Sequence, residues 1–256
     1  MAINLNLELT DHCNIKCKMC SQSMRDEAHG VPMRFMSWET WRQSLHNLQN
    51  YPEEIHLCPH WLGEPTIHPQ FEQFVEYAFA INQHNSLFRK FKLHTNAVVF
   101  GAKRAKLLIN LASLNHQHHD TFHFVHFSID AHTPKTYQVV KGADHGARVY
   151  QNVLQFLHCR QQTGARYPKI TLAFVIQPDN AHEAIAFRDY WVAQFAQHNL
   201  SLRQTYDWPD QESDSIYFRR LNCAQQEESD KLHAKVVYQL GLSDSPTQQL
   251  RSSESF

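Results

Sequence analysis

The chain has 256 residues, enough for one large domain or two small ones. Its composition of 42% hydrophobic, 19% charged and 12% aromatic residues is that of a globular protein, and a formal net charge of −1 argues for neither nucleic acid nor an acidic membrane surface as a partner. No apolar run approaches the roughly 18–20 residues of a membrane helix, and the opening MAINLNLELTDHC lacks the basic and apolar regions of a signal peptide, so a cytoplasmic location is expected.

Strand and helix patterns alternate along the chain. Residues 3–9 (INLNLEL) alternate apolar and polar side chains up to the Asp11-His12 turn, a strand signal. The stretch CNIKCKMC follows, with Cys13, Cys17 and Cys20 inside eight residues. Ser37 can cap a helix whose Trp38, Trp41, Leu45 and Leu48 recur on one face. EIHLC (54–58) reads as a second strand, and Phe71, Phe74, Val75, Ala78 and Phe79 fall at amphipathic-helix spacing. A third strand, 91–95, ends in HTNA, with helix expected over 101–113. FHFVHFSI (122–129) is a fourth strand, with two helical stretches from Thr133 to about Gln162. ITLAFVIQ (170–177) is the most strand-like run, residues 181–197 are helical, and 200–206 is a sixth strand. Beyond Tyr206 the chain turns polar, with one helix expected near 224–240 and a disordered-looking tail from Ser243.

Strands each followed by helix imply a parallel sheet, because parallel neighbours need a crossover. In barrels of that kind the functional residues sit on loops leaving the C-terminal strand ends. Unusual residues gather at those places here: the cysteine triplet, Gly63-Glu64-Pro65, Thr95-Asn96, Ser128 to Asp130, and Gln177 to Asn180. In a reducing compartment a tight cysteine cluster reads as a metal or redox site rather than disulfides. A closed zinc site wants four ligands, usually as two separated pairs. Three thiolates on one loop can instead hold three corners of a [4Fe-4S] cluster and leave the fourth iron open. The alternatives are zinc completed by His12 or a remote residue, or three unconnected thiols.

CNIKCKMC, GEP, TNA and SIDA, in that order and on those elements, resemble the radical SAM superfamily over about residues 3–206. The resemblance implies a partial (βα)6 TIM-like barrel. It implies that Cys13, Cys17 and Cys20 hold the cluster and that S-adenosylmethionine chelates the open iron. Gly63 and Glu64 are then expected at the methionyl ammonium, with Leu62 standing where the family has a first glycine. Ser128 and Asp130 fall at the ribose position, against the alternative that Asp130 caps the next helix. Asn96 matches an asparagine that either supports strand three or binds the cofactor. Lys141 sits where many relatives place an arginine that reaches the methionyl carboxylate, against the alternative of a solvated lysine. Met19 and Ile176 are expected beside the adenine, and Asn180 matches an asparagine common after strand five; wall or loop packing is the alternative for each.

Cys58 is expected as a buried strand cysteine and Cys159 as filler on a helix. The histidines between His116 and His132 are expected on a solvated loop and a strand, with His126 or His132 facing the substrate. Cys223 resembles the entry to the auxiliary-cluster domains of the SPASM and twitch branches, but no further cysteine follows it, so one cluster is expected. The implied organisation is a barrel over 1–206, a short C-terminal helical cap over 207–242 and a tail over 243–256. The implied function is hydrogen abstraction from a peptide or small metabolite, leading to oxidation, epimerisation or cross-linking, with an electron donor such as flavodoxin or ferredoxin. The alternative is a regulatory protein that binds the cluster and S-adenosylmethionine with weak or no turnover.

Overall fold

The structure is a computed structural model that describes residues 2–23, 34–119, 121–209 and 212–245. The expected tail lies outside the described residues from position 246 onward. Seven strands form one sheet in the order β1-β2-β3-β4-β5-β7-β6. They are β1 (Ala2–Asn6), β2 (Glu54–Cys58), β3 (Lys90–Thr95), β4 (Phe122–Ser128), β5 (Lys169–Ile176), β6 (Arg203–Thr205) and β7 (Ser215–Arg220). Every neighbouring pair is parallel, with Leu5 beside Leu57, His94 beside His126 and Ala173 beside Tyr217. β1 and β6 are the two edges, so the sheet is an open, partial barrel of the expected (βα) kind.

Among the described residues, the helices that cover it are α1 (Trp38–Asn47), α2 (Phe71–Asn85), α3 (Ala102–His119), α4 (Pro134–Lys141), α5 (Gly146–Thr163), α6 (Ala184–Gln197) and α7 (Gln226–Gln239). Local chemistry sets their ends. Ser37 is extended and its Oγ accepts the Thr40 amide at 3.1 Å, capping α1. Thr133 caps α4, Pro134 supplies its first turn, and Gly142 ends it in the left-handed region.

Strand alternation divides the sheet into two unlike faces. Phe91 packs on Phe79 of α2, Phe127 on Phe156 of α5 and Phe174 on Phe187 of α6, so this parity faces the helices. The opposite parity carries Lys92, His94, His126, Ser128, Thr171, Ser215, Tyr217 and Arg219, a polar inner face. Sheets buried on both faces read as apolar runs, so a polar inner face marks a wet or ligand-filled interior.

Two expectations change. The segment after Tyr206 is not only a helical cap, because residues 215–220 form β7, inserted between β5 and β6. Asp214 explains the insertion: its carboxylate takes the Arg160 guanidinium of α5 at 2.8 and 2.6 Å and the Ile170 amide of β5 at 2.8 Å. Its carbonyl accepts the Arg203 amide at the start of β6. His116, His118 and His119 lie in the last turn of α3 rather than on a loop, where their donors suit the helix carbonyl end. His123 faces the helices, fully buried, bonded to the Phe91 amide and the Thr121 hydroxyl.

Candidate functional site

The cysteine loop leaves β1 and crosses the C-terminal ends of the other strands. Leu9 and Ile15 anchor it in the core. The Lys18 amide donates to the Val140 carbonyl at 3.0 Å, tying the loop to the end of α4. The Lys18 ammonium meets Asp179 at 2.6 Å, and the Gln177 amide reaches the Met19 sulfur at 3.8 Å, tying it to the end of β5. Asn96, just past β3, donates to Asn14 at 2.8 Å and to the Cys13 sulfur at 3.6 Å. Met19 and Asn96 are therefore brought to the triplet.

Two glycines let backbones meet there. A Cβ on Gly63 would lie 2.0 Å from the Thr10 carbonyl oxygen and 2.8 Å from that of His12. A Cβ on Gly142 would lie 2.3 Å from the Lys16 carbonyl oxygen. Each is a place where only hydrogen fits beside the loop that carries the thiols.

Glu64 joins three motifs. Its carboxylate accepts the Thr66 amide at 3.0 Å, the Thr66 hydroxyl, the Thr95 hydroxyl at 2.8 Å and the Asn96 amide at 2.7 Å. Its own amide donates to the His12 carbonyl at 2.8 Å. Burial pushes its pKa up, with those donors opposing the shift. Glu8, which the sequence reading passed over, accepts the Leu62 and Gly63 amides on one oxygen at 2.6 and 2.7 Å. A carboxylate five residues before the first cysteine was the only signal that could have found it.

Asp130 is fully buried at φ 60°. Its carboxylate pairs with the Lys141 ammonium, accepts the Ser128 hydroxyl at 2.9 Å and holds the Val175 amide at 2.7 Å. Lys141 also reaches the Ser128 hydroxyl at 2.9 Å. Burial works against the ammonium, but the Asp130 charge outweighs it and holds the lysine above its ordinary pKa. Asn180 is equally enclosed, donating to the Asp130 and Val175 carbonyls at 2.7 and 2.8 Å and accepting the Gln177 amide at 2.9 Å. Ile176 packs in the core on the helix side of β5, with Phe174. Ser128, half-buried, is the member of this group that keeps exposure.

The three thiols act on one another. Burial, the Glu64 charge, and Cys17 and Cys20 push the Cys13 thiol up to about 12. Burial raises Cys17 as well, with Lys141 pulling the other way. Sulfurs held together in a dry place are costly to ionise unless a cation joins them, and a metal centre reverses that sign. Among the described residues no three His, Cys, Asp or Glu side chains converge on a point for a single metal ion. Cys17 and Cys20 each raise the cost of ionising the Cys13 thiol, so the three sulfurs lie close enough to serve one metal centre. Cys58 is buried on the inner face, its pKa pushed up to about 12 by desolvation, and its thiol donates to the His60 carbonyl at 3.5 Å. Cys223 caps the approach to α7 through its amide and Gln226.

Comparison with known proteins follows the same residues. The family model described as Radical SAM superfamily matches residues 7–167. A curated relative, the tungsten-containing aldehyde ferredoxin oxidoreductase cofactor-modifying protein of Pyrococcus furiosus, is 23% identical over 180 residues, covering 69% of this chain and 44% of its own. Among solved structures, native anSMEcpe with bound AdoMet aligns at a TM-score of 0.62 and 13% identity, over 94% of this chain and 60% of that one. The same protein with bound AdoMet and Cp18Cys peptide aligns at 0.60 and 12% identity, with the same coverage. The chain thus spans about half the length of these relatives.

Proposed function

Because the chain belongs to the radical SAM superfamily, we propose that it is an enzyme whose Cys13, Cys17 and Cys20 hold one [4Fe-4S] cluster beside bound S-adenosylmethionine. The observation that carries this is the placement of three half-buried thiols on one loop, pinned by Asn96, Val140 and Asp179. The cluster and S-adenosylmethionine together supply reductive cleavage to methionine and a 5′-deoxyadenosyl radical able to abstract hydrogen.

The chain's own residues bind and orient. The Leu62 and Gly63 carbonyls are left to accept the methionyl ammonium, with the Glu64 charge behind them. Glu64 otherwise spends its lone pairs holding Thr66, Thr95 and Asn96 in place. Ser128 is the hydroxyl offered to the ribose, while Asp130, Asn180 and Lys141 hold the strand ends that shape that place. Met19 stands beside the adenine with Gln177, and Ile176 backs that wall. The barrel over 1–206 is the cofactor unit and 207–242 completes the substrate side, with β7 as its inner strand.

The substrate is a peptide or small metabolite. The curated relative's printed name points to modification of a cofactor, and one similar structure holds a peptide. Oxidation, epimerisation and cross-linking are the reaction classes, with flavodoxin or ferredoxin as electron donor. The site lies inside an α/β barrel, no helix among the described residues is long and apolar enough to cross a membrane, and a cytoplasmic setting without nucleic acid is proposed.

Anaerobic reconstitution tests the reading. Brown protein with about four irons per chain, and 5′-deoxyadenosine formed from S-adenosylmethionine after reduction, are expected. Cys17→Ala should lose both. Colourless protein holding one zinc would sink the cluster. Iron-loaded protein that yields no 5′-deoxyadenosine would leave only the regulatory, cofactor-binding reading.

A further inference from the structure

The inner face carries a group of side chains that the cofactor does not use. His60 after β2, His94 on β3 and His126 on β4 stack in sequence. The first pair lies 5.3 Å apart and 5° from parallel, the second 4.6 Å apart and 16° from parallel. Trp208, on the chain between β6 and β7, lies nearly parallel to His94 and His126 with centroids at 6.2 and 6.1 Å. It is 46% exposed, although its edge packs on Tyr217. Arg219 on β7 reaches the same place and acts electrostatically on both His94 and His126.

Three features of this group point to a ligand. Burial lowers His60 to about 4 and His126 to about 3, and lowers His94 as well, so the stack is uncharged at neutral pH. Arg219 is half-buried, and among the described residues it makes no hydrogen bond or ion pair, whereas Lys141 has Asp130 and Lys92 has Asn4. His126 is 7% exposed and its Nδ1 is buried with no partner. A buried imidazole nitrogen without a partner is costly, and a half-buried guanidinium without a counter-charge is free to take one. A ligand bringing negative charge and a hydrogen-bonding group answers both.

We propose that this inner face is a substrate subsite for an oxyanion, a carboxylate or phosphate, gripped by Arg219 beside His94 and His126, with a flat group of the same molecule laid on Trp208. The guanidinium fork matches either oxyanion in bidentate fashion, and an indole face accepts a planar group. Cationic substrates are disfavoured, because Arg219 and Lys92 both face this interior. His126 and Ser128 lie two residues apart on the same face of β4, so the subsite borders the proposed ribose position. The proposal rests on the function proposed above only for calling the ligand a substrate.

The test is ligand-observed saturation-transfer NMR on the full, cluster-loaded chain, with benzoate, phenyl phosphate and benzamide as probes. Benzoate or phenyl phosphate should bind at least about 10-fold more tightly than neutral benzamide, the loss expected for removing charge-assisted hydrogen bonds. The stronger of the two anions identifies the oxyanion. Arg219→Gln should bring benzoate down to the benzamide level, and Trp208→Leu should weaken both rings several-fold. Thermal unfolding and iron content check each variant. Should Arg219→Gln misfold, Arg219→Lys, which keeps the charge and loses the fork, should bind benzoate with intermediate affinity. Benzamide binding as tightly as benzoate, or Arg219 variants that bind like the parent, would overturn the subsite. If the parent chain binds benzoate through Arg219 but yields no 5′-deoxyadenosine, the enzyme reading fails and the oxyanion site stands.

Discussion

Replacing Gly63 by alanine adds one methyl group at a point where backbone already fills the space. Its Cβ would sit 2.0 Å from the Thr10 carbonyl oxygen and 2.8 Å from that of His12. Carbon and oxygen approach to about 3.3 Å in ordinary close contacts, so the strand-to-loop backbone must retreat by about 1.3 Å (3.3 less 2.0). That retreat is opposed by the Thr10 hydroxyl bond to the Arg34 carbonyl at 2.7 Å and by the core seat of Leu9. It also pulls the His12 carbonyl off the Glu64 amide and the Leu62 and Gly63 amides off Glu8. Overpacking costs about 1–3 kcal/mol and each hydrogen bond about 1 kcal/mol more, so the loss should be about 3 kcal/mol or greater. The displaced segment ends at Cys13, so iron retention should fall with it.

Gly142→Ala meets a similar wall, the Lys16 carbonyl at 2.3 Å, and adds a φ of 65° that costs a side chain about 1–2 kcal/mol. Gly101→Ala is the control, because a Cβ there meets nothing within 4 Å. It should be neutral or stabilising by up to about 1 kcal/mol. Urea midpoints and iron per chain measure all three. If Gly63→Ala matches Gly101→Ala in both, the close approach at the cysteine loop does not exist.

Three further changes probe buried charge. Lys141→Met leaves the buried Asp130 carboxyl without its cation and should cost about 3–5 kcal/mol in urea denaturation of protein free of S-adenosylmethionine; a lysine that only grips the cofactor would leave that stability unmoved. Asp214→Ala strands the Arg160 guanidinium beneath β5 and β7 and should cost a similar amount, with Arg160→Met added to it recovering part; equal losses in single and double variants would refute the pairing. Glu183 accepts from the His132 and Thr133 amides and from the Thr133 and Thr136 hydroxyls at the start of α4. Burial opposes its ionisation, but those donors prevail and hold its carboxyl below the ordinary glutamate range. A depressed folded-state pKa stabilises above the unfolded value and stops doing so as pH falls through the folded one. Glu183→Gln should therefore cost about 1–2 kcal/mol at neutral pH, a gap that narrows below pH 4.5; a constant gap down to about pH 3 would refute the assignment.

The elements most legible from the chain were those whose pattern is local. Phe71, Phe74, Val75, Ala78 and Phe79 all face the core of α2, and the Ser37 cap of α1 is where the residue types place it. The strand β7 was hidden because its placement depends on Asp214 meeting Arg160, 54 residues apart in sequence. The end of α3 was hidden because a run of histidines reads as polar loop until Ser86 and Gln83 of α2 are seen to hold His119. The stack of His60, His94 and His126 could not be read at all, since strand parity says which face His94 and His126 take but not that His60, beyond the end of β2, comes into line with them.

The motif residues carry a different lesson. Glu64 and Asp130 read in sequence first as ligand groups, Asn96 and Asn180 as either ligands or supports, and in the fold each is bonded to another motif. Glu64 holds the Asn96 amide, Asn180 holds the Asp130 carbonyl, and Asp130 holds Lys141 and the Val175 amide. A carboxylate has about four lone-pair sites, and Glu64 uses that many on protein donors. Its value to a bound cation is then its charge and the backbone it fixes rather than a vacant oxygen. The same reasoning separates the two halves of the interior. At the strand ends polar groups satisfy one another. On the inner face beside them, the Arg219 guanidinium and the His126 Nδ1 are left without hydrogen-bonding partners among the described residues, and there the discriminating contact with substrate is to be sought.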